Sequence, residues 1–197
     1  VFPGHTKSWN HLADEAAKTG NVQGAFVLVE QGLAHNPNDW HLLHRRALLL
    51  RAVGRHEEAF DSMRRAAADP TADTAMANLA ILLLQRGKLT EARAWADRAV
   101  GVNPRDADNQ RARGMVAMAQ RRWPDAREAF ERAAVIDPEN ADNQWNLGAV
   151  AVNEGHPQAA FPHWQAVKRL DPSRATQVDQ ALAELARRGV IPPPATP

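Results

Sequence analysis

Five Asp-Pro or Asn-Pro dipeptides divide this chain at a nearly constant interval. They are Asn36-Pro37, Asp69-Pro70, Asn103-Pro104, Asp137-Pro138 and Asp171-Pro172, so successive prolines are separated by 33, 34, 34 and 34 residues. A residue that precedes proline is driven out of helical conformation, so each dipeptide predicts the end of a helix. A fixed period of this size indicates stacked supersecondary units that pack on their neighbours, rather than one globular core.

Each interval contains two helical segments around a central turn. Glycine occupies most of the turns, at Gly20, Gly54, Gly87 and Gly155, while Arg121 stands at the fourth and predicts a turn there that is either strained or differently formed. Small residues recur in the first segment at Ala13, Ala47, Ala80, Gly114 and Gly148, and in the second at Ala25, Ala59, Ala92, Ala126 and Ala160. Small residues let two helix backbones approach, and large neighbours such as Phe130 and Trp164 fill the space beside them. The pattern therefore predicts antiparallel helix pairs.

Composition excludes several classes of protein. Apolar residues make up 44% and charged residues 24%, the net charge is +1, and there is no cysteine. Disulfides and thiolate chemistry are therefore excluded, and no global charge attracts nucleic acid or membrane. The sequence has no apolar run long enough for a transmembrane helix, so we expect a soluble protein, cytoplasmic or periplasmic, without membrane insertion. Because the chain begins with Val1, we expect a fragment or a processed form, with further domains before residue 1 or after residue 197 left open.

The repeated unit resembles the tetratricopeptide repeat (TPR) family over about residues 6–174. The residues that carry the resemblance are Trp9 and Leu12-Ala13 in the first unit, and Leu147-Gly148, Ala160, Trp164 and Pro172 in the fifth. The chain departs from the family in having no tyrosine. The resemblance implies an all-α fold, a right-handed α-solenoid of about five helix-turn-helix units.

We divide the chain accordingly. Residues 1–5 form an N-terminal extension, and the repeat domain covers residues 6–189, with units at about 6–39, 40–72, 73–106, 107–140 and 141–174. Residues 175–189 predict a C-terminal capping helix with an apolar stripe of Val178, Leu182 and Leu185, closed by Gly189. The proline-rich residues 190–197 cannot continue a helix and predict a tail or linker.

In the family, the first helices of successive units line a concave peptide-binding groove. Placed on that arrangement, the groove residues here are Lys7, Asn10, His41, His44, Arg51, Asn78, Ile81, Leu84, Arg111, Met115, Met118, Trp145, Asn146 and Val152. The N-terminal part is basic, the histidines would add positive charge near pH 6, and the C-terminal part is apolar. The alternatives are that the two methionines fill the space between helices, that Trp145 packs on the neighbouring unit, and that Asn78 and Asn146 bond locally.

The sequence offers no chemistry for catalysis, cofactors or metals. His41 and His44 are spaced for one helix face, but neither a cysteine nor a suitably spaced carboxylate completes a metal site. No nucleophile elbow or phosphate-binding loop occurs, so no catalytic or cofactor-binding residue is predicted. Paired arginines are scattered rather than gathered into a stripe, which speaks against nucleic-acid binding.

The resulting hypothesis is a non-enzymatic protein-protein interaction module or scaffold that binds a partner peptide or helix in its concave groove. The partner would carry an acidic end for the basic part of the groove and an apolar anchor for the apolar part. Two alternatives stay open. The chain is the substrate-recruiting TPR arm of a larger multidomain enzyme such as a glycosyltransferase, or a self-assembling scaffold that buries its groove as a homo-oligomer.

Overall fold

The structure, a computed structural model, describes residues 6–190, with side chains from Ser8 onward. This part of the chain contains eleven α-helices and no strand: α1 (Thr6–Lys18), α2 (Val22–His35), α3 (Trp40–Ala52), α4 (His56–Ala66), α5 (Asp73–Gln85), α6 (Leu89–Val102), α7 (Ala107–Ala119), α8 (Trp123–Ile136), α9 (Ala141–Asn153), α10 (Pro157–Leu170) and α11 (Ala175–Arg187). A short 3-10 turn, Pro172–Arg174, precedes α11. The prediction of an all-α fold with five helix pairs and a C-terminal capping helix is confirmed.

The helices are grouped into two compact units. The first extends through Asn103 and holds α1 to α6, and the second starts at Pro104 and holds α7 to α11. The sequence did not distinguish this boundary, because Asn103-Pro104 looks like the other four dipeptides. The repeat boundaries stay predictions, and the extension 1–5 and the tail from residue 191 onward lie outside the described residues.

The first helices of several repeats begin at side-chain caps. The carboxylate of Asp39 accepts a hydrogen bond from the Leu42 amide at 3.1 Å, and Asp106 does the same for the Asn109 amide at 2.9 Å. Each carboxylate satisfies a backbone N–H that has no partner inside the helix, and its charge suits the positive end of the helix dipole. These caps fix where α3 and α7 leave their loops.

The turn between α7 and α8 confirms the expected strain. Arg121 has φ +57°, the same left-handed conformation that Gly54 and Gly87 adopt at φ +80° and +71°. Its N–H still donates to the Met118 carbonyl at 2.9 Å, so the turn keeps its hydrogen bond despite the side chain. A Cβ in this region meets steric resistance that glycine avoids.

Within each helix pair, a small first-helix residue is followed sixteen positions later by a buried second-helix residue of varying size. These second-helix residues are Val29, Met63, Ala96, Phe130 and Trp164. A Cβ at Gly114 would lie 2.7 Å from Cε1 of Phe130, and one at Gly148 would clash with the indole of Trp164. The two aromatic rings therefore fit only because their partners are glycines.

The last helix covers the end of the second compact unit. Val178, Leu182 and Leu185 of α11 are buried in a cluster with Trp164 and Val167 of α10. These three residues are the stripe that the sequence predicted, and the opposite side of α11 remains largely exposed. The helix therefore closes an apolar surface that would otherwise face water.

Candidate interaction surfaces on the first helices

The predicted groove residues lie on the less buried side of the helices that carry them. Lys7 cannot be placed, since its side chain lies outside the described part. All the others keep part of their surface exposed, with His41 and Arg51 the most open. Neighbours on the same helices, such as Leu43 and Val116, are buried instead. Whether a partner covers these side chains stays a prediction.

In the first compact unit, a polar cluster joins α1 to α3. The guanidinium of Arg45 lies 2.8 Å from a carboxylate oxygen of Asp14, and its Nε donates to the Asn10 side-chain oxygen at 3.4 Å. Lys18 reaches the other Asp14 oxygen at 2.9 Å. The hydrogen bond from Lys18, helped by Arg45, lowers the pKa of the Asp14 carboxyl. Much of the positive charge near α1 is therefore neutralised within the cluster.

A second polar contact joins α3 to α5. The Nδ2 atom of Asn78 lies 2.9 Å from Nε2 of His44. Burial, together with the nearby charges of Arg45, His41 and Arg51, lowers the pKa of His44 to about 4. His44 is therefore neutral at pH 6, and the expectation that it adds positive charge on mild acidification is wrong. Of the two interpretations of Asn78, the local bond therefore applies, because its side-chain nitrogen contacts the neighbouring helix.

In the second compact unit, Trp145 contacts both an aromatic ring and a guanidinium. Its ring stacks on Trp164 with centroids 5.4 Å apart and planes 24° apart, and the indole N–H of Trp164 donates to the Trp145 carbonyl at 3.1 Å. Arg174 lies 5.1 Å from the Trp145 ring centroid and pairs with Asp142 at 2.7 Å. The aromatic partner of Trp145 thus belongs to its own repeat, not to the neighbouring one.

Met115 and Met118 fit both interpretations that the sequence left open, since they fill space between helices and also keep exposed surface. Met115 and Met118 of α7 pack against a buried cluster that includes Phe130 of α8 and Leu147 of α9. Each nevertheless remains partly exposed. Val152 packs in the same way against the C-terminal cluster. These apolar side chains are fixed by core contacts on one side and open on the other.

Charges near this apolar surface are arranged locally. Arg111 pairs with Asp108, one turn earlier on α7, at 2.7 Å.

Nowhere in residues 6–190 do three or more His, Asp or Glu side chains gather in a way that could hold a metal ion. No helix in this range has both the length and the apolar character needed to cross a membrane.

Family models for the tetratricopeptide repeat cover nearly all of the helical array. One matches residues 10–73 and 111–175, and another matches residues 50–115. The chain belongs to the tetratricopeptide repeat family. No curated protein matches it at a significant level.

Several solved TPR structures share the fold. MamA from Desulfovibrio magneticus RS-1 (residues 41 to the end) is 20% identical with a TM-score of 0.68, covering 86% of this chain and 97% of that one. PilF of Pseudomonas aeruginosa is 16% identical with a TM-score of 0.73, and 92% of each chain is covered. YrrB, described as a TPR protein with an unusual peptide-binding site, is 16% identical with a TM-score of 0.65, covering 88% and 89%. At these identities the likeness establishes the fold alone.

Sequence reasoning missed three residues that shape the TPR surface. Asp14 and Arg45 form the cluster between α1 and α3, and Arg174 covers the ring of Trp145. A signal existed for Asp14 alone, because it follows Asn10 by one helical turn on the same face. No comparable signal marked Arg174, which acts from the 3-10 turn beyond the fifth repeat.

Proposed function

We propose that this TPR chain is a non-enzymatic interaction module whose first helices hold a segment of a partner protein. The observation that carries the proposal is the set of apolar side chains on α7 and α9 that are anchored in the core yet remain partly exposed: Met115, Met118, Trp145 and Val152. Side chains already fixed by packing lose little freedom when a ligand covers them, which favours affinity. Aromatic residues and methionine are also enriched at protein interfaces.

The fold of the solved relatives supports this proposal by analogy. YrrB, which is similar over most of its length, is described as having a peptide-binding site. Function does not follow from fold, so the analogy is weaker support than the exposed side chains themselves. Both point to the same class of ligand, an extended or helical peptide segment.

Each compact unit favours its own partner chemistry. The apolar side chains of α7 and α9 favour an apolar anchor. On α3, Arg51 is exposed, whereas His44 is neutral and Arg45 is paired with Asp14. We therefore expect an acidic partner segment to interact with the first compact unit mainly through Arg51. Because Arg51 is open to solvent, it should affect the association rate and salt dependence more than the residence time.

The test is selection of binding peptides from a display library of natural protein segments, followed by affinity measurements on variants. Met118→Glu places a charge on the apolar surface of α7 and should weaken the selected peptides by at least about tenfold. Val135→Glu is the matched control, since Val135 is 82% exposed on α8, a second helix, and should bind like the parent. Thermal unfolding of both variants checks that the fold is retained.

A clear result would contradict the proposal. If the selected peptides bind Met118→Glu as tightly as the parent and lose affinity for Val135→Glu instead, the partner lies on the second helices. Arg51→Ala provides a further check, because it should slow association and flatten the salt dependence for acidic peptides.

A further inference from the structure

A pocket of about 720 Å³ opens beside α2 within the first compact unit. Its apolar floor is formed by Val22, Phe26 and Val27 of α2 with Leu50 and Val53 near the end of α3. Val27 is 47% exposed and Val53 is 48% exposed, so much apolar surface faces water. None of the groove residues that the structure describes lines this α2 pocket, so a ligand here would be separate from the one proposed above.

The equivalent place in the second repeat is filled by the protein's own side chains. Phe60, six residues after the turn glycine as Phe26 is in the first repeat, is covered by the guanidinium of Arg86 at 3.8 Å from the ring centroid. A carboxylate oxygen of Glu57 holds the same guanidinium at 2.8 Å. The chain therefore shows what this place accommodates: an arginine that lies over the ring and pairs with an acid beside it.

The fourth repeat also places a guanidinium and a carboxylate here. The sixth residue after its turn is Arg127, which lies 3.8 Å from Glu154, the residue before the next turn glycine. The cation now comes from the second helix and the acid from the end of the next first helix, the reverse of the second repeat.

The first repeat lacks these two charges. Val53 stands in the position of Arg86, and Gln23 stands in that of Glu57. Neither side chain is charged, so the first repeat provides no counterpart of the guanidinium over Phe60. The α2 pocket is therefore the open counterpart of a place that an arginine fills elsewhere in this chain.

The charges that line the pocket allow a further cation to bind. Arg46 lies 2.6 Å from Oε1 of Glu30, and Arg55 lies 2.6 Å from Glu58, so each of these guanidinium groups has its own acid. A carboxylate has a second oxygen, and Oε2 of the exposed Glu30 can accept hydrogen bonds from a ligand. In the second repeat, Arg64 stands in the position of Glu30. The first repeat therefore offers an acid where the repeat that already holds a guanidinium has a cation.

Arginine has the properties that fit this pocket. Its guanidinium is weakly hydrated, stacks on aromatic faces, and matches a carboxylate with its planar fork of donors. Its aliphatic stem packs along apolar surface such as that of Val27 and Val53. We propose that the α2 pocket binds an arginine side chain of a partner protein, with the guanidinium over Phe26 and its hydrogen bonds donated to Glu30 and Gln23.

The test titrates the full chain with a capped Ala-Arg-Ala peptide and follows the methyl NMR signals of Val27 and Val53. These signals should shift along one saturable curve with a dissociation constant in the millimolar range, since a single side chain offers little contact area. The same peptide with citrulline in place of arginine has nearly the same shape without the charge, and it should bind at least about fivefold more weakly. Val135, which is 82% exposed on α8, is the reference and should not respond.

Three results would each overturn the proposal. They are the absence of a saturable shift at Val27 and Val53, equal affinities for the arginine and citrulline peptides, and a response of Val135 as large as that of the pocket residues.

A change of the ring tests the contact with the cation. Phe26→Leu keeps an apolar side chain but removes the aromatic face, so the preference for arginine over citrulline should fall by at least about twofold. Phe60→Leu makes the same change in the second repeat and is the matched control, in which the parental preference should persist. If Phe26→Leu prefers arginine as strongly as the parent does, the guanidinium does not lie over this ring and the proposal fails.

A closed-pocket variant tests the location through exposed positions alone. Val53→Arg combined with Gln23→Glu copies the arrangement of the second repeat, so the protein's own guanidinium should occupy the pocket. The affinity for the Ala-Arg-Ala peptide should then fall by at least about tenfold, as read from Val27. Val135→Arg adds a cation on α8 as the matched control and should leave the affinity unchanged. Equal peptide affinities for the closed-pocket and control variants would also overturn the proposal.

Discussion

Nε2 of His44 and Nδ2 of Asn78 lie 2.9 Å apart, on first helices of successive repeats. An amide nitrogen of asparagine can only donate, so Nε2 must be the acceptor and the imidazole proton must reside on Nδ1. The contact therefore selects one neutral tautomer. Protonation of His44 would turn the acceptor into a second donor and break the bond.

This relationship predicts a loss of stability in acid. Burial holds the pKa of His44 at about 4, below its value of about 6.5 in an unfolded chain. A folded-state pKa that is lowered contributes stability above the unfolded value, and that stability is lost as the pH falls toward 4. The contribution amounts to about 3 kcal/mol at most. Urea unfolding of the parent between pH 7 and pH 4 should show this loss.

A variant isolates the effect. His44→Gln should be less sensitive to acid than the parent by up to the same amount, whereas His56→Gln, at an exposed position of α4, should keep the parental dependence. If His44→Gln loses stability with pH as steeply as the parent, the lowered pKa is not the cause.

The fit between Gly114 and Phe130 predicts a destabilising methyl group. Gly114→Ala should lower the free energy of unfolding by about 1–3 kcal/mol, because the new Cβ overlaps the ring. Adding Phe130→Met, which copies the Ala47 and Met63 pair of the second repeat, should recover part of the loss. Gly101→Ala is the control, since nothing lies near its Cβ and alanine favours a helix. Equal losses at Gly114 and Gly101 in chemical denaturation would contradict this packing argument.

The strained turn at Arg121 predicts a stabilising substitution. Arg121→Gly should raise the free energy of unfolding by about 1 kcal/mol, because glycine adopts φ +57° without steric cost. The reverse change, Gly87→Arg, should lower the melting temperature, since it introduces the same strain into a relaxed turn. A drop in melting temperature for Arg121→Gly would mean that its side-chain contacts outweigh the strain.

The small residues of the second helices predict a contrast between packing and surface. Ala126 is fully buried, so Ala126→Leu should overpack the cluster around Phe130 at a cost of about 1–3 kcal/mol. Arg111→Ala removes a partly exposed ion pair on α7 and should change stability by less than about 1 kcal/mol. Differential scanning calorimetry of the two variants decides the matter, and comparable shifts would disprove the assignment of helix faces.

Local signals account for what the sequence could predict. Prolines, turn glycines and small residues act within one helix pair, so the helices, the buried Ala126 and the stripe of α11 followed from their spacing. The contact of His44 with Asn78 and the ion pair of Asp14 with Arg45 join different repeats. They depend on side-chain orientation and burial, which spacing alone does not determine.

The candidate sites show the same division. The family resemblance placed Met115, Met118 and Trp145 on the exposed side of the first helices, but it did not show how their other sides contact the core. The sequence also shows Val53 in the place of Arg86, but the consequence of that difference becomes clear only once Arg86 is seen to lie over Phe60.

The second-helix residues at the sixteen-residue spacing differ widely in size, from Ala96 to Trp164, which bears on how such an array could be copied or recombined. A second helix moved from one repeat to another would face a first-helix residue of unsuitable size. Trp164 would clash with the side chain of Ala47, whereas Ala96 opposite Gly148 would leave a void. An exchange of single helices between repeats therefore lowers stability in both repeats, through overpacking in one and a cavity in the other. The exchangeable piece of this protein is the matched helix pair, and a graft cut through a turn should fail where one cut at an Asp-Pro or Asn-Pro junction keeps the pair intact.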